Sequence, residues 1–540
     1  MPILNWLDKE KHINSDKLVS YRLLEQDSKF CFGEDTDNMI IQGDNLDALK
    51  SLLPYYAGKV KCIYIDPPYN TGDAQPDYDD NLEHSIWLGI MYPRLKLLRE
   101  LLTEDGVIFV QIDDKEAPYL KTIMDEIFGR KNYETTFYIK VRHENRILRK
   151  DIRYQLVMEQ VLSYRKSDLY SPPRRVKSKK TNNDYIYDIE IINNCDDIIN
   201  LSGYDVEIYS PQNYKIVESD SGSLKKYQIR GSLITQSGSA SEYYEKNLKQ
   251  RRNLDGLGTL YKVIGMGVKG DGLGHRFIMQ PKKENSKNGF YFQGKPISNK
   301  VITGIPYQNF YDYESAFNRV GYEGSVEFKN GKKPELYIKF FLDFGSSKGD
   351  LVLDSFLGSG TTCAVAHKMG RKYIGIEMGN HAKTHCVPRL EKVISGEAGG
   401  ISKDINWTGG GGFKFYTLGD TVFDEYGKIN PVIKFHTLAS HIWFYETNNP
   451  KDNKYNDMLL GINDNTAYIL LYNGILGDKK PQNGNVLTRK ILSEIHSKIN
   501  NHTKGFTGSI VVYGESCRLG ENTLQDNNIM FKQTPYDLKI

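Results

Sequence analysis

Two separated parts of the chain alternate short apolar runs with segments of helical periodicity. Apolar runs that predict buried strands lie at 60–65, 107–112, 351–354 and 373–377. Segments whose apolar residues recur every three or four positions, which predicts helices, lie at 84–102, 119–128 and 361–369. Strand–helix alternation of this kind predicts an α/β fold with a doubly wound, Rossmann-like parallel sheet. We expect both parts to contribute to one such sheet.

The strand at 60–65 ends at a stiff loop made of Asp66, Pro67, Pro68 and Tyr69. Proline cannot continue a central strand, so these residues mark the carboxyl edge of the sheet, where open α/β sheets bind ligands. The Asp66 carboxylate and the Pro67 carbonyl could each accept an N–H bond from the exocyclic amine of a base, which favours the pyramidal nitrogen of a transition state. Tyr69 offers a flat face to a base turned out of its stack. A turn that only ends a strand would use the same residues.

A glycine-rich turn follows the strand at 351–354. Its candidate ligand-binding residues are Asp354, Phe356, Gly358, Gly360 and Thr361. Glycines let the backbone approach a bound group, and the carboxylate of Glu377 ends the next strand, as in Rossmann-like nucleotide sites. In the first part, Asp44 ends a short strand and either contacts a ligand amine or caps the following helix. These features predict a nucleoside-type cofactor.

Between the two parts lies a region, 141–329, in which the strand–helix rhythm weakens and basic residues cluster among tyrosines and asparagines. Such a mixture suits phosphate contact and the reading of base edges, and it predicts a DNA-reading insertion. An ordinary solvated insertion would share this composition. The basic candidates for DNA contact are Arg142, Arg146, Arg174, Arg175, Lys177, Arg251 and Arg252.

Length and composition limit the number of domains and the classes of protein that fit the sequence. The 540 residues predict two to four domains, and a net charge of +3 means that any nucleic-acid surface is local. The six cysteines form no C-x-x-C pair, so we expect neither a metal site nor disulfides. No apolar run of about 18 residues is present, so we expect a cytoplasmic protein without membrane spans. The predicted domains are an N-terminal extension (1–38), the catalytic half (39–140) and the cofactor-binding half (330–412) of one α/β domain, the inserted target-recognition domain (141–329), and a small C-terminal α/β domain for dimerisation or partner docking (413–540).

The loop Asp66-Pro67-Pro68-Tyr69 resembles the catalytic motif of amino-group DNA methyltransferases, in which a leading aspartate goes mostly with N6-adenine methylation. The turn at 354–362 resembles their S-adenosylmethionine motif, and the catalytic motif comes first, as in their β-group. The span from Gln42 to Asn132 is especially similar to the Mod subunits of type III restriction–modification systems. The further matching stretches lie at 43–46, 91–95, 112–114, 127–129, 340–377 and 531–536.

This resemblance implies roles for single residues. The Asp66–Tyr69 loop would be catalytic, and the glycine turn would bind S-adenosylmethionine. Asp44 would contact the adenine of this cofactor, Glu377 would bind its ribose, and Lys333, which precedes Pro334, would lie beside its methionine end.

The resemblance also implies a function. The chain would be a site-specific DNA methyltransferase that transfers a methyl group from S-adenosylmethionine to N6 of a flipped adenine, as the modification subunit of a type III system. Its partners would be double-stranded DNA, a second copy of the chain, and a separate restriction subunit with helicase and nuclease activity. Two alternatives remain open: N4-cytosine DNA methylation, and a role mainly as the DNA-recognition subunit of a defence complex.

Overall fold

The computed structural model describes residues 3–70, 83–144, 154–176, 185–219, 222–229, 240–268, 270–286, 288–295, 303–324, 328, 331–423, 428–451 and 455–534. The chain forms two compact units. The larger unit consists of Met1–Pro173 and Gln308–Ile540, and the smaller unit of Arg174–Tyr307. The smaller unit falls inside the predicted insertion at 141–329, whose assignment to target recognition stays a prediction.

The first stretch of the larger unit provides the first strands and helices of a large sheet. Its elements are α1 (Lys9–Ile13), α2 (Ser15–Leu18), β1 (Arg22–Gln26), β2 (Phe32–Gly33), β3 (Met39–Gln42), α3 (Asn45–Tyr56), β4 (Val60–Ile65), α4 (His84–Leu101), β5 (Leu102–Ile112), α5 (Ala117–Met124), β6 (Tyr133–Lys140) and β7 (Met158–Arg165). The helix predicted at 119–128 is α5 continued by a π-helical turn, Asp125–Gly129. The predicted insertion begins at residue 141, yet β7 belongs to the large sheet, because it pairs with β5 and β6.

The smaller unit is built mainly from antiparallel strands. Its elements are β8 (Arg175–Val176), β9 (Tyr187–Ile191), β10 (Asp197–Leu201), β11 (Tyr204–Tyr209), β12 (Tyr214–Glu218), β13 (Leu224–Gln228), α6 (Ala240–Tyr243), α7 (Arg252–Asp255), β14 (Leu260–Ile264), β15 (His275–Met279), β16 (Phe290–Gly294) and β17 (Thr303–Ile305). Eight of these strands form one sheet in the order β10-β11-β14-β15-β16-β13-β9-β12. Separate apolar clusters cover its two faces.

The second stretch of the larger unit completes the large sheet and adds a C-terminal part. Its elements are β18 (Phe310–Asp312), α8 (Glu314–Phe317), α9 (Glu335–Gly345), β19 (Leu351–Asp354), α10 (Thr361–Lys368), β20 (Lys372–Glu377), α11 (Val387–Ile394), β21 (Gly412–Thr421), α12 (Phe435–Thr447), β22 (Leu459–Asn463), β23 (Thr466–Leu470), β24 (Val486–Leu487), α13 (Arg489–His502), β25 (Ser509–Gly514), β26 (Ser516–Cys517), α14 (Glu521–Asp526) and β27 (Ile529–Gln533). The C-terminal part has its own sheet, β22-β23-β25-β27. Within the described ranges, no helix combines the length and hydropathy needed to cross a lipid bilayer.

The large sheet interleaves the two stretches of chain. Its strand order is β1-β21-β3-β20-β19-β4-β5-β7-β6-β18, and neighbours from β21 to β5 run parallel. Strands β19 and β20, from the second stretch, therefore lie between β3 and β4, from the first. This order confirms the predicted α/β fold in which both parts of the sequence build one sheet.

Both faces of the parallel strands are buried. Along β4, Ile63 and Ile65 pack into one apolar core with residues of α3 and α4, whereas Cys62 and Tyr64 pack into a second core with residues of α9 and α10. Successive strand residues point to opposite faces, so two covered faces require an unbroken apolar run. The helices on both faces make the sheet doubly wound.

Candidate active site

Four carboxylates lie along the carboxyl edge of the parallel strands. Asp44 comes just after β3, Glu377 ends β20, Asp354 ends β19 and Asp66 follows β4. These four strands are consecutive neighbours in the sheet. The interleaved order thus brings the two predicted half-sites to one edge, where open α/β sheets bind ligands.

Hydrogen bonds within the loop and from α4 fix the loop after β4. Tyr69 Oη donates to Asp66 Oδ1 (2.7 Å). Trp87 Nε1, on a buried indole of α4, donates to the Pro68 carbonyl oxygen (2.9 Å). Asn70 then takes a left-handed backbone conformation with φ of 55°. These contacts set the position of Asp66 and Tyr69 relative to the sheet edge.

A cationic side chain from the second stretch of chain completes this group. Lys333 Nζ lies 2.9 Å from Asp66 Oδ2, 3.1 Å from Tyr69 Oη and 3.6 Å from Glu159 Oε2. Tyr69 Oη also lies within hydrogen-bond distance of Glu159 Oε2 (3.1 Å). Lys333 was expected beside the methionine end of the cofactor; in the structure it contacts the Asp66–Tyr69 loop directly.

A fully buried amide, Gln111 of β5, orients Glu159. Gln111 Nε2 donates to Glu159 Oε2, and Gln111 Oε1 accepts hydrogen bonds from Tyr337 Oη (2.9 Å) and Tyr64 Oη. Because both phenols donate to the amide oxygen, the amide nitrogen faces Glu159. The carboxylate of Glu159 therefore has a fixed place beside Lys333.

Asp66, Tyr69, Glu159 and Lys333 form one cluster of side chains, and burial shifts the pKa of three of them. It raises the pKa of Asp66 above the ordinary range, an effect that the ammonium of Lys333 partly offsets. It also raises the pKa of Tyr69 well above the usual value, so the phenol stays protonated and donates. Burial alone would lower the pKa of Lys333, but Asp66 and Glu159 raise it overall. The cluster therefore holds a charged ammonium and a neutral phenol.

Glu377 shapes the glycine turn after β19. Its Oε2 accepts the N–H of Gly358 (2.8 Å), and its Oε1 accepts the N–H of Gly379 (3.0 Å). Gly358 and Gly360 have φ values of 54° and 80°, in the left-handed region that favours glycine. A Cβ on Gly360 would lie 3.2 Å from the Cα of Cys386, so a side chain there would crowd the backbone.

Asp354 is buried at the base of this turn. Its Oδ1 accepts the N–H of Phe356 (2.9 Å), and burial raises the pKa of Asp354 to about 7. The neighbouring Ser355 hydroxyl is buried and has no hydrogen-bond partner among the residues that the structure describes. A buried hydroxyl without a partner costs free energy unless a ligand or water satisfies it. The turn therefore presents polar groups suited to a bound ligand.

Thr361 connects the turn to a buried ionic network. Arg389 Nη1 donates to Thr361 Oγ1 (2.7 Å), and Arg389 Nη2 lies 3.1 Å from Glu335 Oε1. Glu335 Oε2 lies 2.8 Å from Lys368 Nζ, and all three charged side chains are completely buried. Through the hydrogen bond of Arg389 to Thr361, this buried network holds the first residue of α10 in place.

Asp44 caps helix α3. Its Oδ1 accepts the N–H of Leu46 (2.8 Å), and Arg94 Nη2 lies 3.1 Å from both of its carboxylate oxygens. Arg94, on α4, also donates to the Asn45 side chain, whose Nδ2 donates to the Ser355 carbonyl (2.7 Å). The capping role is therefore observed, and contact of Asp44 with a cofactor stays a prediction.

Two of the arginines predicted to contact DNA have structural partners within the smaller unit. Arg251 pairs with Asp255 through Nε (2.7 Å) and Nη2 (2.9 Å). Arg252 donates to the carbonyls of Ser286 (3.0 Å) and Glu284 (2.6 Å). The first contact lies within α7 and its N-cap, and the second binds α7 to the segment at 284–286. A role in DNA binding stays a prediction for both residues.

The other basic candidates differ in their surroundings. Arg142 donates to the Leu156 carbonyl (3.2 Å). Arg174 and Arg175 are exposed, and the Arg175 guanidinium lies 5.3 Å from the ring centre of Tyr307. Outside the described residues lie Arg146 and Lys177.

Sequence reasoning missed Glu159, Gln111 and Arg94. Arg94 stands in the matching stretch at 91–95, and Gln111 is a polar residue within the apolar run at 107–112, so both carried a signal. Glu159 carried none, because β7 runs antiparallel to β5 and comes from the region with weak periodicity.

The strand order, together with a glycine turn and an Asp-Pro-Pro-Tyr loop at one carboxyl edge, defines an α/β protein of the methyltransferase class. The chain belongs to the DNA methylase family, whose model matches residues 60–387.

Three curated relatives are type III Mod subunits. The chain is 35% identical over 441 residues to the probable HindVI Mod subunit of Haemophilus influenzae, covering 75% of this chain and 56% of that protein. It is 37% identical over 179 residues to the EcoPI Mod subunit of Escherichia phage P1 (26% and 28% covered), and 38% identical over 163 residues to the EcoP15I Mod subunit of Escherichia coli (24% and 25% covered). The chain thus spans about half the length of the first relative and about a quarter of the others.

Proposed function

We propose that this chain is a site-specific DNA methyltransferase that transfers a methyl group from S-adenosylmethionine to N6 of an adenine turned out of the double helix. It would act as the modification subunit of a type III restriction–modification system. The observation that carries this proposal is that the Asp66–Tyr69 loop and the glycine turn after β19 lie at the same sheet edge. Membership of the DNA methylase family and similarity to three Mod subunits support it.

The residues of the edge fit S-adenosylmethionine. This molecule carries a sulfonium and an ammonium, and an edge with several carboxylates favours a cationic ligand. The buried Ser355 hydroxyl, which has no partner within the described part of the chain, offers it a hydrogen bond. The glycine turn and the start of α10 would hold its carboxylate, Glu377 its ribose and Asp44 its adenine.

The residues of the loop would make adenine N6 nucleophilic. S-adenosylmethionine, when bound, supplies a methyl group attached to a positively charged sulfur. The N6 lone pair is delocalised into the ring, so N–H acceptors at Asp66 and the Pro67 carbonyl accelerate attack by favouring a pyramidal nitrogen. Tyr69 stacks on the flipped base. N6 loses one proton on methylation, and Asp66, whose pKa burial raises, is a nearby acceptor for it.

The remaining regions receive roles consistent with this function. Residues 141–329 would read the target sequence, and residues 413–540 would serve dimerisation or the docking of a separate restriction subunit. The substrate would be double-stranded DNA, and the active form a homodimer. With DNA as its substrate, the protein would act in the cytoplasm.

The variant Asp66→Ala tests the proposal. It should abolish methylation of DNA while binding of S-adenosylmethionine, measured by titration calorimetry, stays largely intact. Asp105→Ala is the control, because Asp105 is half-exposed and pairs with Lys61 at the opposite edge of the sheet. Methylation is read by modification-sensitive single-molecule sequencing of DNA from cells that express the chain.

Each outcome of this experiment is informative. N6-methyladenine at one short recurring motif, lost in Asp66→Ala, supports the proposal. Methylated cytosine favours the N4-cytosine alternative. Turnover retained in Asp66→Ala, or no mark with the unchanged chain, contradicts the proposal.

A further inference from the structure

The Lys333 ammonium lies among three acceptors of the candidate active site. It is 2.9 Å from Asp66 Oδ2 and 3.6 Å from Glu159 Oε2, and it also contacts the phenol oxygen of Tyr69. Its side chain is only 9% exposed, so this ammonium depends on protein partners rather than water. A shift of less than an ångström toward Glu159 would give it a short charge-assisted bond there.

This arrangement conflicts with the role of Asp66 in methyl transfer. Oδ2 of Asp66 pairs with Lys333 and Oδ1 accepts the hydrogen bond of Tyr69, so both oxygens are engaged. Each oxygen keeps a further lone pair, but the two donors already draw on the negative charge of the carboxylate and weaken it as an acceptor for the target amine. An ammonium left beside that amine would also repel the positive charge that N6 acquires as it attacks the methyl group. Transfer is therefore favoured when the amine takes the place of Lys333 on Asp66.

We propose that Glu159 receives the ammonium of Lys333 when the target amine binds to Asp66, and that Glu159 is thus a positioning residue for methyl transfer. This inference rests on the proposed function. Gln111 holds the Glu159 carboxylate in place through its buried amide nitrogen. The carboxylate is therefore ready to accept the ammonium without a rearrangement of its own.

Tyr69 supports the same exchange. Its single phenol proton has two carboxylate acceptors, Asp66 Oδ1 at 2.7 Å and Glu159 Oε2 at 3.1 Å. Turning from the first to the second would free Asp66 Oδ1 as well. Both donors that engage Asp66 thus share one alternative acceptor, and that acceptor is Glu159.

The first test is Glu159→Gln, assayed by single-turnover methylation at saturating S-adenosylmethionine. Loss of the charge leaves Lys333 on Asp66, and the rate should fall by about 10- to 100-fold, the loss expected for one charge-assisted hydrogen bond. Glu159→Asp, which keeps the charge, should retain more activity. Glu134→Gln is the control, because Glu134 lies on the neighbouring strand β6 and pairs with Arg165 away from this cluster.

The second test is the double variant Lys333→Met with Glu159→Gln. If Lys333 competes with the amine for Asp66, removing it should raise the rate above that of Glu159→Gln alone. A merely structural role of Glu159 predicts no such rescue. Saturation with S-adenosylmethionine, checked by calorimetry, separates this effect from any loss of cofactor affinity.

The outcomes separate the inference from the proposed function. If the unchanged chain methylates adenine but Glu159→Gln is equally fast, or the double variant is no faster than Glu159→Gln, the inference is wrong and the function stands. If the unchanged chain transfers no methyl group to DNA, the proposed function fails and the inference with it. Circular dichroism spectra that match the unchanged chain show that each variant is folded.

Discussion

The ammonium of Lys333 lies 3.1 Å from the phenol oxygen of Tyr69, although 264 positions separate the two residues in the chain. The interleaved strand order explains this contact, since β19 and β20 from the second stretch lie between β3 and β4 from the first. Neither stretch contains the whole cluster. The site therefore forms only when both stretches have built the common sheet.

Tyr69 should contribute through both its ring and its hydroxyl, and two substitutions separate them. Tyr69→Phe keeps the ring but loses the hydroxyl that anchors it through Asp66 or Glu159, so the ring is held less firmly and the single-turnover rate of methyl transfer should fall by about tenfold. Tyr69→Ala also loses the stacking surface, worth about 1–3 kcal/mol per base, and should fall further. Fluorescence of 2-aminopurine at the target position reports base flipping. Equal rates for the two variants would mean that the ring makes no contribution.

Much of the sheet was predictable because burial on both faces leaves a direct trace in the sequence. The runs at 60–65 and 351–354 are mainly apolar, and the carboxylates at their ends, Asp66 and Asp354, mark the edge of the sheet. Parallel strands all end at the same edge of the sheet, so the sequence alone predicts that the two half-sites lie at one place.

The rest of the site depends on tertiary contacts that no local pattern encodes. Glu159 reaches Lys333 only because β7 pairs antiparallel to β5. Composition also gives the number of positive charges but does not show which of them are paired with a carboxylate. Arg251 has the charge that DNA contact requires, yet Asp255 engages both its Nε and its Nη2.

Glu335 should be a main stabiliser of the cofactor-binding half. Its carboxylate pairs with Arg389 and Lys368, and all three side chains are completely buried. Glu335→Gln removes this counter-charge from buried Arg389 and leaves Lys368 with Glu397 alone, 2.7 Å away, which should cost about 3–5 kcal/mol of unfolding free energy. Urea denaturation of the full chain measures the loss.

The control for this prediction lies on the same helix. Asp343 of α9 also forms ion pairs, with Lys339 and Arg371, but its side chain is 46% exposed. Asp343→Asn should therefore cost no more than about 1 kcal/mol. A loss as large as that of Glu335→Gln would show that burial does not set the difference.

As the pH rises, ionisation of Asp354 should lower the stability of the folded chain and strengthen the binding of S-adenosylmethionine. Burial raises the pKa of this carboxyl from the ordinary 3.8 to about 7, so the folded chain holds a proton that the unfolded chain releases at lower pH. The resulting stabilisation is complete below about pH 3.8 and is lost as the pH rises through about 7. Asp354→Asn stays neutral at every pH and can still accept the N–H of Phe356. The variant should therefore be more stable than the unchanged chain at pH 8, by an upper limit of about 4 kcal/mol, and the difference should shrink toward pH 5.

The same substitution should weaken the binding of S-adenosylmethionine, because the ionised carboxylate is the form that attracts a cationic ligand. For the unchanged chain, affinity should rise with pH through about 7, whereas for Asp354→Asn it should be lower and lose this dependence. Thermal melts and titration calorimetry at pH 5 and pH 8 measure the two effects. Asp350→Asn, at the amino end of the same strand, should change neither of them. Tight binding by Asp354→Asn at pH 8 would remove Asp354 from the cofactor site, and a variant no more stable at that pH would mean that the buried carboxylate carries no cost.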